Sequence, residues 1–285
     1  MTRVDVLVLL VIVLSLVLGA GCLQGQTPGE TNTTFVDHHV LMQELQVMTG
    51  AIQEDLDAFD ASLGANTSFL GSAGLSGQEA DRVLAGLAAG HSAILSAITV
   101  DPNGTVLATA PESARAVLGQ TIANQDAIAR VLLTREPAMG TYFTLRQGGA
   151  GVSIVRPDIS PGGEFAGAVS LTFSPQALVA SRVDASKGPT PVSFIVAQPD
   201  GVLLYHSNAT LSGTSTFDEP VFQRFPEVLD LARRYGTERT GHATFSFYRV
   251  GSMEVVRKET FWETVSLHGT EWRVLAVAEA PTPSP

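Results

Sequence analysis

The chain has 285 residues, with 17 Lys and Arg against 28 Asp and Glu, for a formal net charge of −11. That sign argues against nucleic acid or an anionic membrane surface as a main partner. Hydrophobic residues make up 45% and charged residues 16%, which excludes a disordered chain and leaves one large domain or two small ones around a sizeable core.

Cys22 is the only cysteine, so no intrachain disulfide and no cysteine-rich metal cage can form. Arg3 precedes an apolar run over 6–20, about fifteen residues, the length of a signal-peptide h-region and short of a membrane-spanning helix. The run ends in Leu18-Gly19-Ala20-Gly21-Cys22, which resembles the lipobox of prokaryotic lipoproteins, with Gly19 where Leu is usual. This resemblance implies cleavage and lipidation at Cys22, with 1–22 as a signal segment; the alternative is an uncleaved N-terminal anchor. Both export the rest of the chain. Asn32, Asn66, Asn103 and Asn208 each open an Asn-x-Ser/Thr acceptor, and these candidate glycosylation sites suit an outward-facing protein. Residues 23–34, rich in Gly, Gln, Thr and Pro, read as a flexible tether.

Leu41, Leu45, Met48, Ile52, Leu56, Phe59 and Leu63 recur at spacings of three and four, which predicts an amphipathic helix over 35–63. Glu44, Glu54, Asp55, Asp57 and Asp60 fall on its other faces and are expected to be solvated. A Gly/Ser-rich stretch, 64–77, predicts a break. Ser76-Gly77-Gln78-Glu79 has capping-box spacing ahead of a second helix running from 78 into the 90s, with His91 beside its apolar stripe. Residues 35–97 thus form a helical lead-in.

The remainder repeats itself. Ile98-Thr99-Val100-Asp101-Pro102-Asn103-Gly104-Thr105-Val106-Leu107 is echoed by Ile195-Val196-Ala197-Gln198-Pro199-Asp200-Gly201-Val202-Leu203-Leu204, two apolar strands about a Pro-Asn/Asp-Gly turn. Each copy continues to a helical stretch, 124–134 and 220–235, and then to alternating strands, 140–145 and 241–247. The copies close with strands at 163–171 and 269–277. The offset stays at roughly a hundred residues, so the pattern is a duplicated α+β domain and not a solenoid.

In order and duplication these elements resemble the double Cache sensor domain of prokaryotic chemoreceptors and sensor kinases, over about residues 35 to 280. The most specific stretches are 100–107, Val152-Ser153-Ile154-Val155-Arg156-Pro157 leading into 163–173, and Gly269-x-x-Trp272. The resemblance implies an α+β fold: a long N-terminal helix, then two tandem PAS-like (Cache) modules with antiparallel sheets. The membrane-distal module, 98–186, is the one that usually holds a small extracellular ligand; 187–280 is the membrane-proximal module and 281–285 a tail. Amino-acid-binding members carry an Arg-x-Trp-Tyr-like cluster where this chain has Asn124-Gln125-Asp126-Ala127-Ile128, which argues against amino-acid recognition. The expected function is a small-molecule-binding sensor module tethered to the outer face of the cytoplasmic membrane of a prokaryote. After residue 280 only Pro281-Thr282-Pro283-Ser284-Pro285 follows, so the signal is expected to pass to a separate transducer protein. The alternative is a structural or envelope-assembly lipoprotein that uses the fold without a ligand.

Nothing in the sequence points to an enzyme, a cofactor or a metal. There is no G-x-S-x-G, H-E-x-x-H or G-x-x-x-x-G-K-[ST]. Asp101-Pro102-Asn103-Gly104 lacks the further ligands of an EF-hand and reads as a turn. His38 and His39 diverge by about 100° on a helix, a poor chelate, and His206, His242 and His268 are scattered. Within the distal module, Arg156 is the first candidate ligand contact, because its planar fork suits a carboxylate. Tyr142 and Asp126 follow; the alternative is that Arg156 pairs with Asp158 or Glu164. Bulky Phe245, Phe247, Tyr248, Phe261, Trp262 and Trp272 are expected to fill the proximal core, while Ser153, Ala166, Ala168 and Ser170 leave room in the distal one.

Overall fold

The apolar stripe from Leu41 to Leu63 is buried along one face of helix α1 (His38–Ala73), whose first turn is capped by Asp37 accepting the His39 N–H. In this computed structural model, which describes residues 35–145, 149–186 and 191–280, α1 runs ten residues beyond its expected end at Leu63. The stripe itself continues through buried Thr67 and Leu70. The glycines that suggested a break are instead points of close approach. A Cβ on Gly64 would lie 3.2 Å from the Arg156 guanidinium carbon, and one on Gly71 would lie 2.8 Å from a carboxylate oxygen of Asp158. Helix α2 (Gln78–Ala89) stops before the 90s, and its N-cap is Gly77 with no side-chain bond, so the expected capping box does not form. Glu79 instead pairs with Arg82.

The first module's sheet contains β1 (Ile94–Val100), β2 (Val106–Ala110), β3 (Ala138–Met139), β4 (Phe143–Thr144), β5 (Ala150–Ile159) and β6 (Phe165–Phe173). Its order is β2-β1-β6-β5-β3, with β4 also on β5, and α3 (Asp126–Thr134) lies across it. Helix α4 (Pro175–Ala185) leads to the second sheet: β7 (Ser193–Ala197), β8 (Leu203–His206), β9 (Gly241–Tyr248), β10 (Val255–Leu267) and β11 (Thr270–Glu279). The second order, β8-β7-β11-β10-β9, repeats the first strand for strand, and every pairing is antiparallel. The fold is therefore the expected α+β arrangement of a long helix and two antiparallel sheets. The Pro-Asn/Asp-Gly segments are hairpin turns, and in the first Asp101 Oδ1 accepts the Asn103 and Thr105 N–H groups at 2.8 Å.

Strand alternation gives each sheet two apolar faces. One face of both sheets packs on α1 in a shared core that includes Ile154, Leu171, Phe173, Val265, Trp272 and Val274. The opposite face of the first sheet meets α3 through Val155, Ala168, Ile128 and Val131. In the second module the opposite face meets α5 (Pro220–Gln223) and α6 (Pro226–Thr237) through Phe222, Leu231, Phe245, Trp262 and Leu275. The described residues belong to one compact unit. Among the described residues no helix is long and apolar enough to cross a membrane. Cys22 and Asn32 lie outside the described residues.

Candidate functional site

Arg156 shares its strand parity with Val152 and Ile154, so it faces α1 and not α3. There it holds Asp60 bidentately, with Nε and Nη2 donating to the two carboxylate oxygens at 2.8 and 2.6 Å, and His268 Nε2 stands 2.8 Å from the same carboxylate. Burial pushes the Asp60 carboxyl up, but the hydrogen bonds from Arg156 and His268 outweigh it and hold it below the usual range. The pairing anticipated with Asp158 or Glu164 thus goes to α1 instead. Asp55 makes the second such clamp, to Arg182 on α4. Asp55 and Asp60, expected to be solvated, are 7% and 9% exposed. A period of 3.6 shows that two carboxylates leave the apolar stripe, but not that two arginines come to meet them.

Tyr142 sits between the modules: its N–H donates to Gln198 Oε1 at 2.7 Å, and its hydroxyl lies where a Cβ on Gly213 would fall, 2.6 Å away. Desolvation raises its pKa. Asp126 is the one candidate of the three that lines a described cavity, a cleft of about 230 Å³ beneath the start of α3, where its carboxylate accepts the Thr141 N–H at 3.2 Å. A neighbouring cleft of about 190 Å³ shares Asn124, Gln125 and Phe143 with it. Of the small side chains, Ala168 packs in the cluster with α3, Ser153 borders the cleft of about 230 Å³ and bonds Thr172, Ser170 is buried, and Ala166 packs toward the α1 side, with no large space among them. Asn103 and Asn208 stand exposed in turns, whereas Asn66 lies within α1 and donates to Ser62 O at 2.8 Å.

The large cavity is in the second module, contrary to expectation. About 800 Å³ lies between the sheet face of β7, β9, β10 and β11, helices α5 and α6, and the β9–β10 turn. Alternation explains the reversal. Trp272 and Phe261 point to the α1 side, and Trp262 packs at the far end of the sheet, against Gly241 with its Nε1 donating to Glu238 O at 3.1 Å. Only Phe245, Phe247 and Tyr248 of the six bulky residues remain to line the space, and they form walls without filling it.

Polar and charged side chains interrupt the apolar lining, and several of the buried ones are perturbed. Tyr235 and Thr216 face each other at 3.3 Å, and burial pushes the Tyr235 hydroxyl up to about 12. Lys258 on β10 is 7% exposed, and burial lowers its pKa, opposed by Glu279 and reinforced by Arg249. Glu279 is its cross-strand neighbour but is held bidentately by Arg249 at 2.8 and 2.9 Å. His206 accepts the Asn208 N–H at Nδ1, 2.9 Å, and burial together with the Lys258 charge depresses it to about 4, so it is neutral at physiological pH. Sequence reasoning missed Lys258 because Arg257-Lys258-Glu259 reads as a solvated charge run. The available signal was parity: Lys258 lies four residues before Trp262 on the same face.

The scattered histidines also find partners. His38 and His242 share Glu259, at 2.7 and 2.5 Å. Among the described residues no group of three His, Cys, Asp or Glu is placed to hold a metal ion.

A family model described as "HK/GC/Chemotaxis protein-like, sensor domain" matches residues 54–175, from the middle of α1 to the start of α4. No curated protein matches the chain. Among solved structures, an extracellular ligand binding receptor from Desulfohalobium retbaense is 25% identical with a TM-score of 0.67; the alignment covers 82% of this chain and 40% of that one. This chain therefore spans well under half of that receptor. The ligand-binding domain of the Pseudomonas aeruginosa amino acid chemoreceptor PctB, in complex with L-Gln, aligns at TM-score 0.62 and 14% identity, covering 86% of this chain and 91% of that one. The corresponding domain of the Pseudomonas fluorescens chemoreceptor CtaA, in complex with L-serine, aligns at 0.61 and 13%, over 85% and 96%. The matched segment is similar to that sensor-domain family, and the two-sheet unit has the fold of chemoreceptor ligand-binding domains.

Proposed function

We propose that this protein is an extracytoplasmic small-molecule-binding sensor module whose principal ligand site is the second-module cavity. The observation that carries the reading is the cavity itself: about 800 Å³ of space with a mainly apolar lining into which polar and charged side chains also converge, the character of a small-molecule site. The described first-module clefts, of about 190, 230 and 270 Å³, offer far less room. A single core joins α1 to both sheets, which gives a binding event a mechanical path along the helix. The lipobox-like residues ending at Cys22 support a tether to the outer face of the cytoplasmic membrane, and a separate transducer is the partner that such a module addresses.

The test is a thermal-shift screen of residues 35–285 against small metabolites, since a ligand that binds only the folded state raises apparent stability, by about 2.7 kcal/mol at a hundred times Kd. A hit should lose its effect in Val228→Trp, which fills the cavity from α6. A screen without hits, or hits indifferent to that substitution, contradicts the reading.

A further inference from the structure

Lys258 is the buried charged group of the second-module cavity for which the described residues supply no hydrogen-bond partner. It is more than nine-tenths buried, and among the described residues no carboxylate pairs with it. A buried ammonium without a counter-ion is costly, and the cost falls when an anion with hydrogen-bonding oxygens is placed against it. The nearest internal candidate, Glu279, is already engaged through both oxygens by Arg249. His206 lines the same space and spends Nδ1 on the Asn208 N–H, so its remaining ring nitrogen carries the proton and is a donor. The charged groups of the lining are Lys258, Arg249 and Arg224 against Glu219 alone, so an amine is the wrong head group. The apolar stretch of the wall, Phe222, Leu231, Phe245, Phe247 and Leu275 among it, suits one apolar tail.

We propose that this cavity binds an apolar monocarboxylate, an alkyl or aryl acid, with its carboxylate on Lys258 and the His206 N–H and its tail between α6 and the sheet. The inference rests on the sensor reading above and deepens it by naming the ligand's chemical class. It also separates head group from tail: the tail supplies apolar burial that any octyl compound shares, while Lys258 supplies the preference for an acid.

Calorimetric titration of the full chain with octanoate, octan-1-ol and octylamine tests this. The expected result is octanoate at least tenfold tighter than the alcohol and the amine weakest. In Lys258→Met octanoate should fall to the level of the alcohol while the alcohol is unchanged, and Lys258→Arg should keep the preference. Equal binding of acid and alcohol by the parent protein, or a preference that survives in Lys258→Met, overturns the proposal; the parent comparison decides it even where a variant fails to fold. Binding of the octyl tail without regard to head group overturns the carboxylate alone and upholds the sensor reading. Binding of none of the three overturns the ligand class, and the sensor reading then stands or falls by the metabolite screen.

Discussion

Asp60 meets a partner 96 positions away in the chain, Arg156, and a third group, His268, from the second module. Removing one member of a buried pair strands the other. With side-chain exposures of 13% and 29% the pair is partly screened, so Asp60→Asn should cost about 2–3 kcal/mol, below the full range for buried pairs. Urea unfolding measures it, and Asp60→Leu combined with Arg156→Met should recover part of the loss. A single-variant cost within about 0.5 kcal/mol, the level of an ordinary surface substitution, would contradict the clamp. His206 gives a pH signature. Its folded-state pKa of about 4 lies below the ordinary 6.5, so the unfolded chain takes the proton first. Stability present above about pH 6.5 should therefore be lost progressively as pH falls toward 4, and Lys258, whose charge faces it, steepens the cost of protonation. Melting temperatures between pH 7 and 4.5 should fall less in His206→Gln than in the parent; parallel curves would show that His206 is not the group responsible.

At the scale of elements, α1 separates two kinds of glycine. Nothing lies within 4 Å of a Cβ built on Gly50, whereas one on Gly71 meets Asp158 at 2.8 Å and the Ile159 carbonyl at 3.2 Å. Alanine is favoured over glycine in a helix interior by about 0.8–1.0 kcal/mol. Gly50→Ala should therefore stabilise by up to that amount, while Gly71→Ala should destabilise despite the same propensity gain; denaturant midpoints of the two variants check the contrast. The same glycines explain what was legible. The apolar spacing of α1 and the duplicated hairpins are local patterns and read directly from sequence. The end of α1 was not, because 64–77 carries the composition of a loop and only the approach of β5 makes glycine necessary there. The capping box failed for a related reason, since Gly77 at φ +88° takes the cap position from Ser76.

Across the whole molecule the duplication was visible and the difference between its copies was not. Counting large and small side chains assigned the cavity to the first module, yet volume in a sheet protein depends on which face each residue takes. Trp272 and Phe261 went to the α1 core, and Ala168 packs with α3 on the first sheet. The partner of Arg156, Asp60, was missed because the face that residue takes was not considered. The central claim is that ligand occupies the second module, and hydrogen–deuterium exchange with and without the first ligand found addresses it directly. New protection should appear in α6 (Pro226–Thr237) and the β9–β10 turn around Arg249 and Met253, where the cavity wall lies. Protection confined to α3 (Asp126–Thr134) and the 141–145 segment would place the ligand in the first module and contradict the account.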